Sequence, residues 1–201
     1  LQGLIPKGAP VDLGMLASPM GVLVSLTTKG IHSAPEKQRD LLQKLANEVR
    51  SRLGEWLFAE GRDTMEEVVG RELTKQGLML AIAESCTGGL IGHRLTQVAG
   101  SSAYVDRGAI CYSNRAKMEM LGVPADLIAL RGAVSKEVAA AMACGIRERA
   151  NVSVGLSVTG IAGPGGGTEA KPVGLVYVGL DDGTGHPIAR EFRFHGDRNI
   201  I

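Results

Sequence analysis

Aromatic side chains are scarce in this chain: one tryptophan, three tyrosines and three phenylalanines make up 3% of its 201 residues. That leaves too few rings for the stacking platforms that hold single-stranded nucleic acid. Charge of one sign is lacking too, since the formal net charge is +1, and no basic footprint points to DNA or RNA. No apolar run approaches the roughly 20 residues of a membrane span. Cysteine is sparse: Cys86, Cys111 and Cys144 are widely separated and odd in number, so neither zinc spacing nor a disulfide framework follows. A reducing cytoplasm is the expected location. What is present, 44% hydrophobic and 21% charged residues, describes a globular chain with room for one large domain or two small ones. It begins at Leu1, without an initiator methionine or a signal-like start, and reads as a piece of something longer.

The pattern divides near Glu60-Gly61-Arg62-Asp63. Residues 1–60 read as a small α+β unit: short strands over 11–15 and 21–26, a turn through Pro19 and Met20, and a helix over 35–53. In that helix Leu41, Leu42, Leu45, Val49 and Leu53 share one face, Ser33 and Glu36 form a capping box, and Gly54 is the stop. Its basic residues are interleaved with Glu36, Asp40 and Glu48, which describes a solvated face. From residue 61 onward helices and strands alternate. A helix capped by Asp63 or Thr64 runs through Gln76, a strand covers 78–83 and a helix 90–98. A strand follows at 109–112, then a helix over 114–121 capped by Ser113, a longer one through Arg149 capped by Ser135, and a strand over 151–159. A hairpin of 173–180 and 188–194 ends the chain. The expected fold is a three-layer α/β/α domain with a mixed sheet.

Three clusters fall where strands give way to connections. They are Glu84-Ser85-Cys86-Thr87-Gly88-Gly89, then Tyr112-Ser113-Asn114 with Lys117, and then Thr159-Gly160-Ile161-Ala162-Gly163-Pro164-Gly165-Gly166-Gly167. If the strands before them run parallel, all three crowd one edge, where open α/β sheets bind ligands. At the first cluster a helix mouth with unpaired N–H groups could receive an anion or an oxyanion. Ser85 needs a base to become a nucleophile, and the four histidines offer little: His93 lies two helical turns beyond it, and His32, His186 and His195 fall in loops or at a strand end. Lys117 sits in the first turn of its helix. Unperturbed, only on the order of one lysine in a few thousand is neutral at pH 7, so a lysine base needs its pKa lowered by roughly 3, a bias of about 4 kcal/mol. Burial and a helix N-terminus both push that way; the plain alternative is an exposed lysine.

Tyr112 could relay a proton or hold the lysine, or be a half-buried strand aromatic. Cys86 competes with Ser85 as nucleophile. Glu84 could act as an acid, orient Lys117 or cap the helix. Thr159 could donate to an oxyanion or simply end its strand. The glycine loop lacks the ending of a phosphate-binding P-loop and no helix follows it, yet its N–H groups can still meet a phosphate; a bare loop is the alternative.

These segments, together with Gly100-Ser101-Ser102, Gly132-Ala133-Val134-Ser135 and Lys171-Pro172-Val173-Gly174, resemble in order the CinA C-terminal domain family, the nicotinamide-mononucleotide deamidases, over about 61–198. Residues 1–60 resemble the end of the small, KH-like linking domain that precedes this unit in longer CinA proteins. The large N-terminal domain of those proteins, a molybdopterin-binding-like fold linked to ADP-ribose pyrophosphatase activity, has no counterpart here, nor does the helix that usually follows Gly196-Asp197-Arg198. The resemblance implies hydrolysis of nicotinamide mononucleotide to nicotinate mononucleotide and ammonia. It makes Ser85 the nucleophile, Lys117 and Tyr112 its activating partners, and Thr159 a neighbour of the reacting group. Glu84, Cys86, Thr87, Gly88, Gly89, Asn114, Gly160, Ala162, Gly163 and Gly165 become the substrate-binding set. It implies no cofactor, no metal, no nucleic-acid or membrane partner, and a homo-oligomer. Relatives often carry an acid where Ala170 stands. The competing readings are a non-catalytic nucleotide-binding module of a competence/damage-inducible CinA-like protein, and a redox sensor built on Cys86.

Overall fold

A computed structural model describes residues 1–6, 8–18, 21–29 and 35–201. Two compact units divide between Arg62 and Asp63.

In the first unit β1 (Val11–Ser18) and β2 (Gly21–Thr28) pair antiparallel, with Ser18 opposite Gly21. Both strands outrun the expected segments. The ladder continues through Leu16 and Leu23 although both are exposed, so the alternation that marks a half-buried strand fades there. Helix α1 (Pro35–Leu53) lays Leu45 and Val49 against Leu4 and Val11, with Leu13, Val24, Leu26, Leu41 and Leu42 around them. Ser33 of the expected capping box, His32, and Pro19 and Met20 of the expected turn lie outside the described residues.

The second unit is a five-stranded mixed sheet with helices on both faces. Its strands are β3 (Leu80–Glu84), β4 (Val105–Ile110), β5 (Val154–Gly160), β6 (Leu175–Asp181) and β7 (Ile188–Arg193), in the order β4-β3-β5-β6-β7. The first three run parallel and the last two complete the sheet antiparallel. β3 is buried along its whole length, and its alternate side chains enter two cores. Ala81 and Ala83 join Val138, Met142 and Ile146 of α6 (Lys136–Ala150) and Leu121 of α4 (Asn114–Leu121). Leu80 and Ile82 join Leu95 of α3 (Leu90–Thr96), Tyr104, and Val69 and Leu73 of α2 (Met65–Gln76).

Local chemistry fixes the helix starts. Thr64 and Glu67 form a reciprocal capping box at α2, and the Ser113 and Ser135 hydroxyls accept the Ala116 and Val138 amides. Two elements differ from expectation. The strand expected at 109–112 lies upstream as β4. It is a sheet edge, so its run Val-Asp-Arg-Gly-Ala-Ile exposes three central residues and lacks the apolar pattern that betrays a buried strand. The segment before Gly132 forms an additional helix, α5 (Ala125–Arg131), only seven residues long and started by Pro124. No helix among the described residues is long and apolar enough to cross a membrane.

Candidate active site

Because β4, β3 and β5 are parallel neighbours, with Glu84 level with Ile110 on one side and Val158 on the other, their following loops leave the sheet side by side. The three clusters therefore meet at one edge. The Cys111 amide donates to the Glu84 carbonyl at 2.7 Å, and the Ser85 amide to the Val158 carbonyl at 3.0 Å, which locks the turn after β3. Gly88 and Gly89 continue it at φ of 61° and 101°, a conformation that side chains with a Cβ disfavour.

Ser85 is only 7% exposed and Lys117 only 1%. The Lys117 Nζ lies 2.9 Å from Ser85 Oγ, 2.8 Å from the Cys111 carbonyl and 3.2 Å from the Tyr112 carbonyl. A carbonyl can only accept, so two amine hydrogens are spent on Cys111 and Tyr112. In the neutral amine the remaining lone pair then faces the Ser85 hydroxyl. Burial pushes the Lys117 pKa down from its ordinary value, and no carboxylate stands within ion-pair distance of it among the described residues to hold the charge.

Glu84 has none of the contacts with Lys117 that an orienting role would need. Its carboxylate turns to the start of α3 and accepts the amides of Gly92 at 2.7 Å and of Gly89 and Ile91 at 3.1 Å each. The helix mouth proposed as an anion site is thus filled by the protein's own carboxylate, buried to 2% exposure. Closer to Ser85, the Cys86 and Thr87 amides donate to no backbone acceptor among the described residues. Thr87 Oγ1 is enclosed without a hydrogen-bond partner.

Two expected roles are revised by geometry. The Thr159 hydroxyl donates to the Ala133 carbonyl at 2.9 Å and is wholly buried, so its hydrogen ties β5 to the loop before α6 and is not offered to a reacting group. The Tyr112 phenol is exposed and does not bridge Ser85 and Lys117; the residue holds the lysine through its main chain. Cys86 stands beside Ser85 with its thiol pKa raised by burial, which works against a thiolate nucleophile. Asn114 opens α4 and is exposed. Gly160 ends β5, Ala162 is buried, and Gly163 and Gly165 lie in the loop beyond, whose return is fixed by the Gly174 amide on the Ile161 carbonyl at 2.8 Å. His93 pairs with Gln97, the residue that caps the end of its helix. Among the described residues no group of three or more histidine, cysteine, aspartate or glutamate residues is arranged to hold a metal ion.

Two residues outside the expected set belong to this edge. Lys171 donates to the Arg131 and Val134 carbonyls at 2.7 Å each, tying the glycine loop to the turn that carries Ala133. The Arg198 guanidinium reaches the Gly163 carbonyl, the Cys86 carbonyl and the Tyr112 hydroxyl, one acceptor from each cluster. Arg198 lies 112 positions from Cys86, and no spacing in the sequence signals that contact.

The fold and site define an α/β domain with a buried serine–lysine pair at the carboxyl edge of its parallel strands. The family model for the CinA C-terminal domain matches residues 62–201, and the chain belongs to that family. Over all 201 residues it is 50% identical to a CinA-like protein of Citrifermentans bemidjiense, covering 47% of that protein. It is 48% identical over 189 residues to a putative competence-damage inducible protein of Moorella thermoacetica, covering 94% of this chain and 45% of that one. The chain thus spans about half the length of these relatives. The crystal structure of competence/damage inducible protein CihA from Agrobacterium tumefaciens is similar at a TM-score of 0.65 and 45% identity, over 67% of this chain and 83% of that one. A CinA superfamily protein from Escherichia coli gives a TM-score of 0.64 at 30% identity, over 73% and 88% of the two chains.

Proposed function

We propose that this domain is an amidohydrolase that converts nicotinamide mononucleotide to nicotinate mononucleotide and ammonia, with Ser85 as nucleophile and neutral Lys117 as its base. The observation that carries the reading is the 2.9 Å approach of the Lys117 amine to Ser85 Oγ in a buried setting, with its hydrogens committed elsewhere. A base must lie within hydrogen-bond reach of the proton it takes. A lysine serves only when its pKa is brought down, as burial does here. An uncharged amine also spares the cationic pyridinium ring of the substrate a like charge.

In the first half-reaction Ser85 Oγ attacks the carboxamide carbon and its proton passes to Lys117. The tetrahedral intermediate collapses as Lys117 returns that proton to the leaving nitrogen, releasing ammonia and an ester on Ser85. Water then attacks the ester, giving a proton to Lys117. Collapse breaks the bond to Ser85 Oγ, the proton returns to that oxygen, and the product leaves as the acid, which ionises to the carboxylate and gives its proton to the released ammonia. The Cys86 and Thr87 amides, which meet no backbone acceptor among the described residues and reach only the Cys86 sulfur, a weak acceptor, are the donors for the oxyanion, and losing one such donor typically costs about 10²–10³ in rate. The enclosed, unpartnered Thr87 hydroxyl supports a polar ligand group at this turn.

The test is ammonia release from nicotinamide mononucleotide by the wild type and by Ser85→Ala. Turnover in the wild type, falling by about 10³-fold or more in the variant while substrate still binds, is expected. Binding without release in the wild type would instead make this a nucleotide-binding module.

A further inference from the structure

The helix mouth beside Ser85, the obvious place for a substrate's phosphate, is occupied by Glu84, whose carboxylate already takes three amides at the start of α3. A nucleotide held at this edge needs another cation. Lys117 is buried and committed to Ser85 and two carbonyls. Lys171 is committed through two short bonds of 2.7 Å. Arg198 differs from both. It is exposed, and its three hydrogen bonds, at 3.2, 3.3 and 3.4 Å, lie at or beyond the long end of the normal range.

All three of those acceptors are neutral. Other arginines of the unit are matched to carboxylates, as Arg147 is to Asp181 and Arg94 to Glu66. Arg198 makes no ion pair among the described residues. It is a charged fork, weakly held, over the point where all three site loops meet. One contact is the carbonyl next after Ser85, and another is the phenol of the residue whose carbonyl holds Lys117. The third is Gly163, and just beyond it the Gly165, Gly166 and Gly167 amides donate to no backbone acceptor among the described residues.

We propose that Arg198 is the anion-recognising residue of this site: it exchanges its weak neutral contacts for the phosphate of the nucleotide substrate, with the free amides of the glycine loop beside it. This rests on the amidohydrolase reading and adds what selects the nucleotide over the nucleoside. A planar guanidinium matches two phosphate oxygens at once, and a cation binds an anionic acceptor more strongly than the neutral carbonyl and hydroxyl oxygens it would leave.

The experiment compares Arg198→Ala and Arg198→Lys with the wild type on nicotinamide mononucleotide and on nicotinamide riboside, which lacks the phosphate. For Arg198→Ala, kcat/KM on the nucleotide should fall by about 10- to 100-fold, mostly through KM, because a bond to a charged group is lost. On the riboside the change should stay below about twofold, and Arg198→Lys should recover part of the nucleotide effect, since the point charge remains. An equal loss on both substrates would make Arg198 a tie between loops and overturn the proposal, as would an unchanged KM. If the wild type releases no ammonia at all, the amidohydrolase reading falls, and calorimetric titration with nicotinate mononucleotide decides separately. Binding weakened at least about tenfold by Arg198→Ala upholds the anion site; equal binding, or none to the wild type, removes it.

Discussion

The Glu84 carboxylate lies 2.7 Å from the Gly92 amide, so the residue before Ser85 closes the helix that follows it. One buried side chain joins the end of β3 to the start of α3, and the Ser85 turn is held between them. Glu84→Gln keeps the size but leaves only one accepting oxygen for three donors. It should lower stability by about 1–3 kcal/mol, the cost of buried groups left without partners. Denaturant unfolding measures this; an unchanged midpoint would mean that the carboxylate does not organise the turn.

Lys117 gives stability a sign that can be tested. Its folded pKa is lowered from 10.5 by burial, so between that lowered value and 10.5 the unfolded chain holds a proton that the folded chain does not. Stability contributed by this residue therefore rises with pH across that window, and its full cost is present below it. Lys117→Met lacks the titration. The Tm of the wild type minus that of the variant should grow as pH is raised towards 10.5. A difference that stays flat would show that the folded lysine titrates normally.

The placement of Lys117 depends on how closely α4 approaches α6. A Cβ on Gly145 of α6 would run into the Leu121 carbonyl at the end of α4. Gly145→Ala should destabilise by about 1–3 kcal/mol through overpacking. The displaced α4 should also lower kcat, since misplacing a catalytic group by about 1 Å can cost 10²-fold. Both effects are read from one preparation by unfolding and by ammonia release; wild-type values for both would remove the contact from the account.

Much of the fold was legible because local signals were strong. The buried run ahead of Glu84, the capping residues Thr64, Ser113 and Ser135, and the terminal hairpin each announce themselves through residue type. Edge strand β4 did not, because a strand with one open side and exposed faces has no apolar period to read. At the site, Ser85 and Lys117 were legible as chemistry-bearing residues, one in the turn after β3 and the other in the first turn of α4. What escaped were the parts carried by main chain or by distance. The Tyr112 carbonyl holds the lysine, a service any residue type can provide. The Thr159 hydroxyl has a carbonyl partner 26 positions away, and Arg198 meets Cys86 only through the fold. The Glu84 cap was among the readings open in sequence; that it closes the helix mouth to a ligand follows only from its three bonds.

The most direct test of the central claim is the titration of Lys117 itself, followed by NMR at its labelled ε-carbon in the folded protein. The account predicts a midpoint well below 10.5, matched by a rise in the rate of ammonia release over the same pH range. A lysine that titrates at its ordinary value, with a rate indifferent to that ionisation, would contradict activation of Ser85 by a neutral amine.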